Sequence, residues 1–396
     1  MSIPKWVAAP LSVAMIAGLT IAGSQPAEAA KPKLGTVFNA SDQWAISKNI
    51  AAMIKATPKG ATIRIAQYRI AGSDPNVLPA LREAVKRGVR VKIVLDKSDR
   101  NPNPLRDAGL KKLANQIKAK YGSSGNPKKP SYIVLCSNGC MGTKYNHNKF
   151  YLFTTMGAKK KVVVQSTANV ASDNASAWNA AIGIAGRTKL YNGYQAYFDA
   201  LVQRKTNLNY YRTVTDGIYK AYFFPRKTST SRSDDTKTDT IYRILNEQVK
   251  CTGNKKVGTS VNHRTIIRVA VWGFTRAKVA QKLRALANQD CWVDVAINNS
   301  ADVSPAVRAA LANHPRINVD NAQSNGRWMH AKYLLVEGNY AGKRDTKVAF
   351  VGSHNFTINA LRYNDETWLK IDSASVHDQF RANFRTIMAA SPDFPF

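Results

Sequence analysis

The chain has 396 residues, of which 44% are hydrophobic and 21% are charged, so it is neither too short nor too polar to bury a substantial core in one large domain or two medium ones. Its 58 lysines and arginines outnumber its 25 aspartates and glutamates, which gives a formal net charge of +33. A surface this basic favours an anionic partner, such as nucleic acid, an anionic membrane or cell-wall polyphosphate, and says nothing about the fold.

The first 29 residues have the three parts of an export signal. Lys5 supplies the positive end, residues 6–23 supply the apolar stretch, and the segment PAEAA supplies a small-residue cleavage site, which predicts cleavage after Ala29. An N-terminal membrane anchor is the alternative. No later segment approaches the roughly 20 apolar residues that span a bilayer, so we expect a secreted, extracytoplasmic protein.

The first half then predicts a strand, a helix and a second strand. Residues 61–70 alternate apolar and polar side chains, as a half-buried strand does. Residues 77–88 carry apolar side chains at helical spacing and end in Gly88, where a helix would stop. Residues 89–96 are typical of another strand. A polar loop and a basic helix are expected over residues 97–122.

The segment Tyr145–Val170 combines a His-x-Lys with a later Ser-x-x-Asn. Side chains two apart on a strand point to the same face, so His147 and Lys149 are expected to project together. A second apolar run follows, and it ends at Ser166 and Asn169. A single His-x-Lys carries little weight, because it arises by chance in a chain with 58 basic residues.

Between the halves we expect a long helix and then a linker. Residues 191–222 are predicted to be helical. Residues 226–239 are polar, rich in serine and threonine, and without apolar periodicity, which favours a linker or an exposed loop. The boundary between domains is therefore predicted near Phe223.

The second half repeats the order of the first. Residues 265–274 are typical of a strand, residues 279–290 of a helix, and residues 291–297 of a second strand. Strands that alternate with helices indicate crossover connections. We therefore predict an α/β fold with two similar lobes, 30–222 and 223–396, each a mixed, largely parallel sheet flanked by helices.

A tighter copy of the motif lies in this half, with His330 and Lys332 before an apolar run and Ser353 and Asn355 after it. If the two motif faces pack together, one site holds two histidines, two lysines and two asparagines. One histidine can then attack a phosphodiester phosphorus while the other protonates the leaving alcohol. The lysines and asparagines can hold the non-bridging oxygens. Such a site needs no metal and no cofactor, because its own cations stand where a metal would.

The four cysteines fit an exported protein. An even count in that compartment favours disulfides over free thiols. Cys136 and Cys140 are close enough to bridge around a tight turn, and Cys251 would then pair with Cys291. A metal site is the weaker interpretation, because Cys-x-x-x-Cys lacks a second ligand pair at a matching spacing.

The segments HNKFYLFT…QSTAN and HAKYLLVE…GSHN resemble the two halves of a phospholipase D superfamily enzyme of the secreted bacterial type, whose pattern is His-x-Lys-x4-Asp followed by Gly-Ser-x-Asn. The resemblance covers nearly all of the mature chain. It implies a phospholipase D-like bilobal fold, phosphodiester hydrolysis through a phosphohistidine, and no cofactor. It also implies supporting roles for Ser166 and Ser353, and it favours His147 as the nucleophile, with His330 as the rival.

The chain departs from the family pattern at several positions. The family Asp is Thr154 in the first half and Glu337 in the second, and the Gly before Ser is Gln165 in the first half. The family often has a later Glu that hydrogen-bonds a catalytic histidine. Glu366 fits that role, whereas Ala181 occupies the expected position in the first half. We therefore expect the second half to retain its supporting carboxylates and the first half to have lost them.

The leading interpretation is a secreted hydrolase that cleaves phospholipid phosphodiester bonds and is drawn to membrane surfaces by its basic charge. A secreted nuclease of the same superfamily is the alternative, because phosphate neutralisation dominates nucleic-acid affinity. A non-catalytic binder of anionic polymers is the third. A basic groove through the histidines would favour nucleic acid, and an apolar rim would favour lipid. We expect no obligate protein partner and a monomer, because one chain already holds both motifs.

Overall fold

Two β-sheets, one for each half of the chain, organise the computed structural model, which describes residues 31–324 and 326–396. The predicted signal peptide, residues 1–29, lies outside the described residues. The first sheet contains β1 Gly35–Phe38, β2 Thr62–Gln67, β3 Arg90–Lys97, β4 Tyr132–Ser137, β5 Lys149–Met156, β6 Lys159–Ser166 and β7 Ala180–Ile184. The second contains β8 Arg212–Asp216, β9 Tyr219–Phe223, β10 Val249–Lys250, β11 Ile266–Val271, β12 Trp292–Ile297, β13 Ile317–Asn321, β14 Lys332–Tyr340, β15 Lys343–Gly352 and β16 Thr367–Asp372. The helices are α1 Ala45–Lys55, α2 Val77–Arg87, α3 Ala108–Tyr121, α4 Ser172–Ala175, α5 Thr188–Gln203, α6 Thr240–Arg243, α7 Ala277–Asn288, α8 Pro305–Leu311, α9 Ile358–Arg362 and α10 Ala374–Ala389.

Both sheets are mixed, as predicted. The first has the order β1-β7-β6-β5-β2-β3-β4, and the second has the order β13-β12-β11-β14-β15-β16-β9-β8, with β10 paired to β14. Parallel pairing is confined to β2-β3-β4 and β11-β12-β13. The sheets are therefore less parallel than the sequence suggested, because the motif-bearing strands form the antiparallel hairpins β5–β6 and β14–β15.

The predicted repeat is present. The unit β2-α2-β3 of the first lobe has its counterpart in β11-α7-β12 of the second, and each unit pairs with the strand that follows a His-x-Lys. Helix α2 ends where expected, at Gly88, whose φ of 88° lies in the left-handed region that glycine adopts without strain. The α/β, two-lobed fold is confirmed.

Helices α5 and α10 lie between the two sheets and join the lobes through one apolar core. Buried members of this core include Phe150 on β5, Tyr194 on α5, Tyr333 on β14 and Phe384 on α10. Two further cores lie beneath the outer helices, one under α1, α2 and α3 and one under α7 and α8. Within the described residues, none of the helices combines the length and the apolar character of a membrane span.

The predicted helix over residues 191–222 is correct only in its first part. Helix α5 ends at Gln203, the following Arg204 has a left-handed φ of 52°, and the chain then forms the hairpin β8–β9. Gly217 and Ile218 form the two-residue turn, and Gly217 has a positive φ of 60°. A glycine at the first position of such a turn is common in hairpins. Because β9 pairs with β16, the second sheet begins before the predicted lobe boundary at residue 222. Residues 226–239 contain no helix or strand, as expected of a loop.

Both predicted disulfides form. Cys136 bonds to Cys140 across a separation of 4 residues, and Cys251 bonds to Cys291 across a separation of 40 residues. The first closes the loop after β4, and the second ties the segment after β10 to the start of β12. The two bonds therefore constrain the unfolded chain to different degrees.

Removing the longer-range bond is expected to destabilise the protein more than removing the shorter. Loop-closure entropy gives a loss of about 4 kcal/mol for a 40-residue loop and about 2 kcal/mol for a loop of 4 residues. The double variants Cys251→Ala/Cys291→Ala and Cys136→Ala/Cys140→Ala can be compared by urea unfolding. An equal or reversed order of stability would contradict this expectation.

Candidate active site

The two histidine motifs meet where the lobes join. Strands β5 and β14 begin at Lys149 and Lys332, so each histidine lies just ahead of its strand. The sequence had predicted that both histidines lie on the strands. The His147 backbone N–H donates to the carbonyl of Asp365, and the His330 backbone N–H donates to the carbonyl of Trp178, each in the opposite lobe. Each motif is therefore held by the segment that immediately precedes a strand of the other lobe, β16 for His147 and β7 for His330.

One cavity of about 560 Å³ contains both imidazoles and both motif asparagines. Its lining residues are Tyr68, Arg69, Arg100, Tyr145, His147, Asn169, Asp173, Asn174, Trp272, Gly273, Thr275, Ala301, Asp302, Trp328, His330, Asn355, Thr357, Ile358, Asn359 and Asn364. Asn169 is notable because its Oδ1 is buried without a hydrogen-bond partner. The structure thus brings together four of the six residues that the sequence placed in the catalytic group.

The two motif lysines lie behind the histidines and do not line the cavity. Both are fully buried, and the Nζ of Lys149 donates to the His147 carbonyl at 2.8 Å, while that of Lys332 donates to the His330 carbonyl. Burial lowers the pKa of Lys149 to about 7. Burial, and then the charge of Lys149, lowers the pKa of Lys332 well below its ordinary value. Because the charge of Lys149 opposes that of Lys332, a bound anion would stabilise the charged forms of both lysines.

A carboxyl group from the second lobe hydrogen-bonds His147. Its Nδ1 lies 2.9 and 3.0 Å from the two oxygens of Glu366, and Asn364 donates to the same carboxyl group at 3.0 Å. Glu366 therefore supports the histidine of the opposite lobe, not the one on its own side. Burial raises the pKa of Glu366 to about 8. Burial, and then Lys149 and Lys332, lowers the pKa of His147.

An amide group from the first lobe hydrogen-bonds the corresponding nitrogen of His330. Its Nδ1 lies 3.1 Å from the Oδ1 of Asn179, which also accepts a hydrogen bond of 2.7 Å from the Thr167 hydroxyl. Asn179, immediately before β7, is therefore the counterpart of Glu366, immediately before β16, and the position assigned to Ala181 was wrong by two residues. The Asn179 Oδ1 accepts a hydrogen bond from the Nδ1–H of His330 but brings no charge to stabilise an imidazolium.

The serine of the first motif was also misplaced. Thr167 N–H donates to the carbonyl of Ala180, the first residue of β7, as Ser353 N–H donates to that of Thr367, the first residue of β16. Thr167 is thus the counterpart of Ser353, and the first motif reads Thr-x-Asn without an extra residue. Ser166 instead accepts from the Ala168 N–H at 3.0 Å and caps the turn.

Two further buried carboxyl groups surround the His147 motif, and sequence analysis missed both. Asp365 accepts hydrogen bonds of 2.6, 3.1 and 2.8 Å from the backbone N–H groups of Cys140, Met141 and Gly142. Asp96 accepts from the Asn146 N–H at 2.7 Å. Burial raises the pKa of each to about 7.

The corresponding position beside His330 again holds an amide. Asn298 Oδ1 accepts from the Met329 N–H at 2.9 Å, as Asp96 does from the residue before His147. The two histidines therefore occupy similar backbone settings but different electrostatic ones, with carboxyl groups around one and amides around the other.

Aromatic rings flank each imidazole at the cavity wall. The Tyr68 ring lies 5.3 Å from the His147 ring, and the Trp272 and Trp328 rings lie 6.1 and 5.0 Å from the His330 ring. Tyr68 and Trp272 each follow the first strand of their repeat, β2 and β11, and they also face Lys149 and Lys332 at 5.3 and 5.8 Å. These rings restrict the rotation of the histidines and make the cavity mouth partly aromatic.

Two residues at the family's aspartate positions lie outside the cavity. Glu337 accepts from Arg268 at 2.9 Å and from Arg381 at 3.1 Å, which ties β14 to β11 and α10. Thr154 accepts from the Thr62 N–H at 2.9 Å. Glu337 was expected to support the site, but its contacts are those of an ion pair that holds the second sheet to its helix.

Comparisons with known proteins give one family and a shared fold. A family model described as cardiolipin synthase, PLD-like domain, matches residues 50–202 and 261–388. A phosphatidylserine synthase from Haemophilus influenzae Rd KW20 is similar with a TM-score of 0.60 at 11% identity, over 91% of this chain and 87% of that one. A polyphosphate kinase from Porphyromonas gingivalis is similar with a TM-score of 0.53 at 12% identity, over 89% of this chain, which spans only 50% of the kinase. No curated protein matches.

Proposed function

Because the chain belongs to the phospholipase D-like family, whose domain model matches both of its halves, we propose that it is a phosphodiesterase that works through a phosphohistidine on His147. The observation that carries this proposal is the single cavity lined by His147 and His330, in which each Nδ1 is occupied by an acceptor from the opposite lobe. Each Nε2 then remains for the substrate. Two imidazoles in one cavity are what double displacement requires.

In the first step, Nε2 of His147 attacks the phosphorus, and the bond to the leaving alkoxide breaks as His330 donates a proton to that oxygen. In the second step, His330 takes a proton from water, whose oxygen attacks phosphorus and releases His147. Glu366 stabilises the cationic phosphohistidine through Nδ1–H. The charges of Lys149 and Lys332 oppose the negative charge that develops on the non-bridging oxygens.

The roles of the two histidines follow from their partners. A phosphorylated imidazole that keeps its Nδ1–H is a cation, and Glu366 can balance that charge. A general acid must give up its proton, and a neutral amide partner such as Asn179 stabilises the protonated form less than a carboxylate would. This difference supports His147 as the nucleophile and His330 as the acid.

Nucleic acid is the substrate class that the cavity mouth favours. Its rim combines Trp272 and Trp328 with Arg69 and Arg100, and the formal charge of the chain is +33. Stacked aromatic rings and cations are the usual means of holding a single strand. The exposed large hydrophobic residues of the described chain, which are Ile218, Val261, Trp292 and Phe396, do not line the cavity, so the apolar surface at its mouth comes chiefly from aromatic rings, on which bases can stack.

Phospholipid remains the second candidate, because the matching family model is described as cardiolipin synthase, PLD-like domain. The two disulfides support a proposal that the protein works outside the cytoplasm, where such bonds persist.

The function can be tested with purified protein and a chelator, against a single-stranded oligonucleotide, plasmid DNA, and phosphatidylcholine and cardiolipin vesicles. Cleavage of DNA without added metal is expected, and His147→Ala and His330→Ala should each abolish it. His314→Ala, which changes a histidine outside the cavity, is the matched control. Cleavage of the phospholipids but not of DNA would identify phospholipid as the substrate. Activity that survives in both histidine variants would contradict the proposed phosphodiesterase mechanism.

The pH dependence should reveal the buried lysine. The pKa of Lys149 is about 7, so this group is charged below that pH and loses its charge as the pH rises through it. The pKa of His330 is lowered as well, by burial first and then by the two lysines. We expect kcat/KM, which reports the free enzyme, to fall as the pH rises, first as His330 loses its proton and again through about 7 as Lys149 does. A kcat/KM that increases between pH 7 and 9 would contradict this assignment.

A further inference from the structure

A second cavity, which we call the outer cavity, lies in the second lobe away from the histidines. It measures about 250 Å³ and is lined by Tyr211, Lys220, Tyr222, Arg226, Thr240, Arg243, Ile244, Glu247, Gln248, Tyr340, Ala341 and Lys370. Tyr340 is eight residues beyond Lys332 on β14, which places it roughly 26 Å along the strand from the catalytic lysine. The outer cavity is therefore separate from the active site.

The outer cavity has an excess of positive charge. Four of its lining residues are lysine or arginine, and its one carboxylate, Glu247, is engaged by Arg243 through contacts of 2.7 and 3.1 Å. Within the described residues, Lys220 and Arg226 make no ion pair within 4 Å. Lys370 has Asp372 at 3.8 Å, at the limit of such a contact. Of the three cations Lys220, Arg226 and Lys370, the first two therefore lack an ion-pair partner in the described part of the chain, and the third has only a long contact.

Tyrosine rings hold these three cations in place. Arg226 lies 4.2 Å from the centre of the Tyr211 ring, Lys220 lies 5.3 Å from that of Tyr222, and Lys370 lies 5.0 Å from that of Tyr340. Arg226 also donates to the Thr240 hydroxyl at 3.0 Å. Such contacts limit the conformations of long side chains, so less entropy is lost when they bind a ligand.

Because these cations are partly buried, binding of an anion beside them is favourable. The Lys370 side chain is only 18% exposed, and Tyr222 and Tyr340 beside it are buried. Its pKa is lowered, by burial first, and Lys220 is among the charges that act in the same direction. Like charges held together at a partly buried site destabilise each other, and a bound anion offsets this repulsion.

We propose that the outer cavity is a second, non-catalytic site that binds a phosphate group through Lys220, Arg226 and Lys370. Lysine and arginine side chains that converge from one side match the three oxygens of a phosphate. A volume of about 250 Å³ is below the range of about 300–1,000 Å³ typical of drug-sized pockets, so the site fits one phosphate and the group that carries it. Among the described residues, no histidine lines the cavity, so it lacks the pair of imidazoles on which the proposed phosphodiester reaction depends.

The site can be tested by titrating the full protein with inorganic phosphate, glycerol 3-phosphate and a nucleoside 5′-monophosphate in a calorimeter. We expect the double variant Lys220→Met/Lys370→Met to lose one phosphate-binding site, or to bind there at least about tenfold more weakly. The control Lys111→Met/Lys118→Met removes the same charge from exposed positions on α3 and should bind as the wild type does. Tighter binding of the nucleotide would identify stacking on Tyr211 as part of recognition.

A separate activity assay distinguishes effects on the outer cavity from effects on the catalytic cavity. The double variant should cleave a small chromogenic phosphodiester at the wild-type rate, which also shows that it is folded. The single variant Lys220→Glu, at a half-exposed position, provides a second test if the double variant is unstable. Unchanged phosphate stoichiometry and affinity in both variants, or an equal loss in the α3 control, would overturn the proposal.

Discussion

His330→Ala protein is expected to accumulate a phosphoryl group on His147 when given a phosphodiester with an activated leaving group such as p-nitrophenolate. Such a group departs without a general acid, so the first step survives. The second step is slowed, because no base remains to take the proton from water, and general acid–base catalysis of this kind contributes about 10²–10⁴-fold. A burst of one equivalent of p-nitrophenolate per protein should therefore be followed by slow turnover.

Mass spectrometry of the trapped protein, digested at neutral or mildly basic pH, should place the added mass on the peptide that contains His147. The reciprocal variant, His147→Ala, should give neither burst nor adduct with the same substrate. An adduct on His330 in that variant would exchange the roles of the two histidines, and the absence of an adduct in both would remove the covalent intermediate.

Glu366→Gln is expected to lower kcat by about 10²–10⁴-fold while leaving the fold intact. The substitution keeps the size of a fully buried side chain and removes the carboxyl group that faces His147 Nδ1 at 2.9 Å. Burial raises the pKa of this group to about 8, but a cationic ring beside it favours the ionised, negatively charged form. Without that charge the cationic phosphohistidine loses its stabilisation. Circular dichroism and the midpoint of unfolding would verify that the variant is folded, and kcat on the small chromogenic substrate would measure the loss.

Asn179→Ala is the matched control for Glu366→Gln, because it removes the neutral partner of His330. Here only about a tenfold loss is expected, since an amide orients the ring without adding charge. Asn179→Asp should shift the part of the falling limb of the kcat/KM profile that belongs to His330 to higher pH, because a carboxylate in place of the amide, whose Oδ1 lies 3.1 Å from His330 Nδ1, raises the pKa of the imidazole. Equal losses in Glu366→Gln and Asn179→Ala would contradict the unequal roles assigned to the two sides.

The repeated strands and helices could be predicted because the pattern of apolar residues that indicates each one lies within a short stretch of sequence. The apolar alternation of residues 61–70 and the helical spacing of residues 77–88 arise from local burial, and both elements form close to the predicted bounds. The hairpin β8–β9 was missed for a related reason. Its two strands are only five residues each, and the Gly217-Ile218 turn between them lies within the segment predicted to be helical.

The partners of the histidines could not be predicted from spacing alone. The groups that hydrogen-bond the two histidines come from the opposite lobe, and residue spacing within one lobe cannot predict a contact between lobes. The same reason explains why Ala181 was chosen in place of Asn179. Asp365 was missed because its partners are the backbone N–H groups of residues 140–142, which have no side-chain signature.

The exchange of partners between lobes also bears on how this chain could change over time. His147 depends on a residue 219 positions away, and His330 depends on one 151 positions away. A graft of one lobe from a relative would separate both pairs at once, even if every strand formed normally. Inherited substitutions near residue 179 or residue 366 should therefore be judged by what they do to the imidazole of the other half.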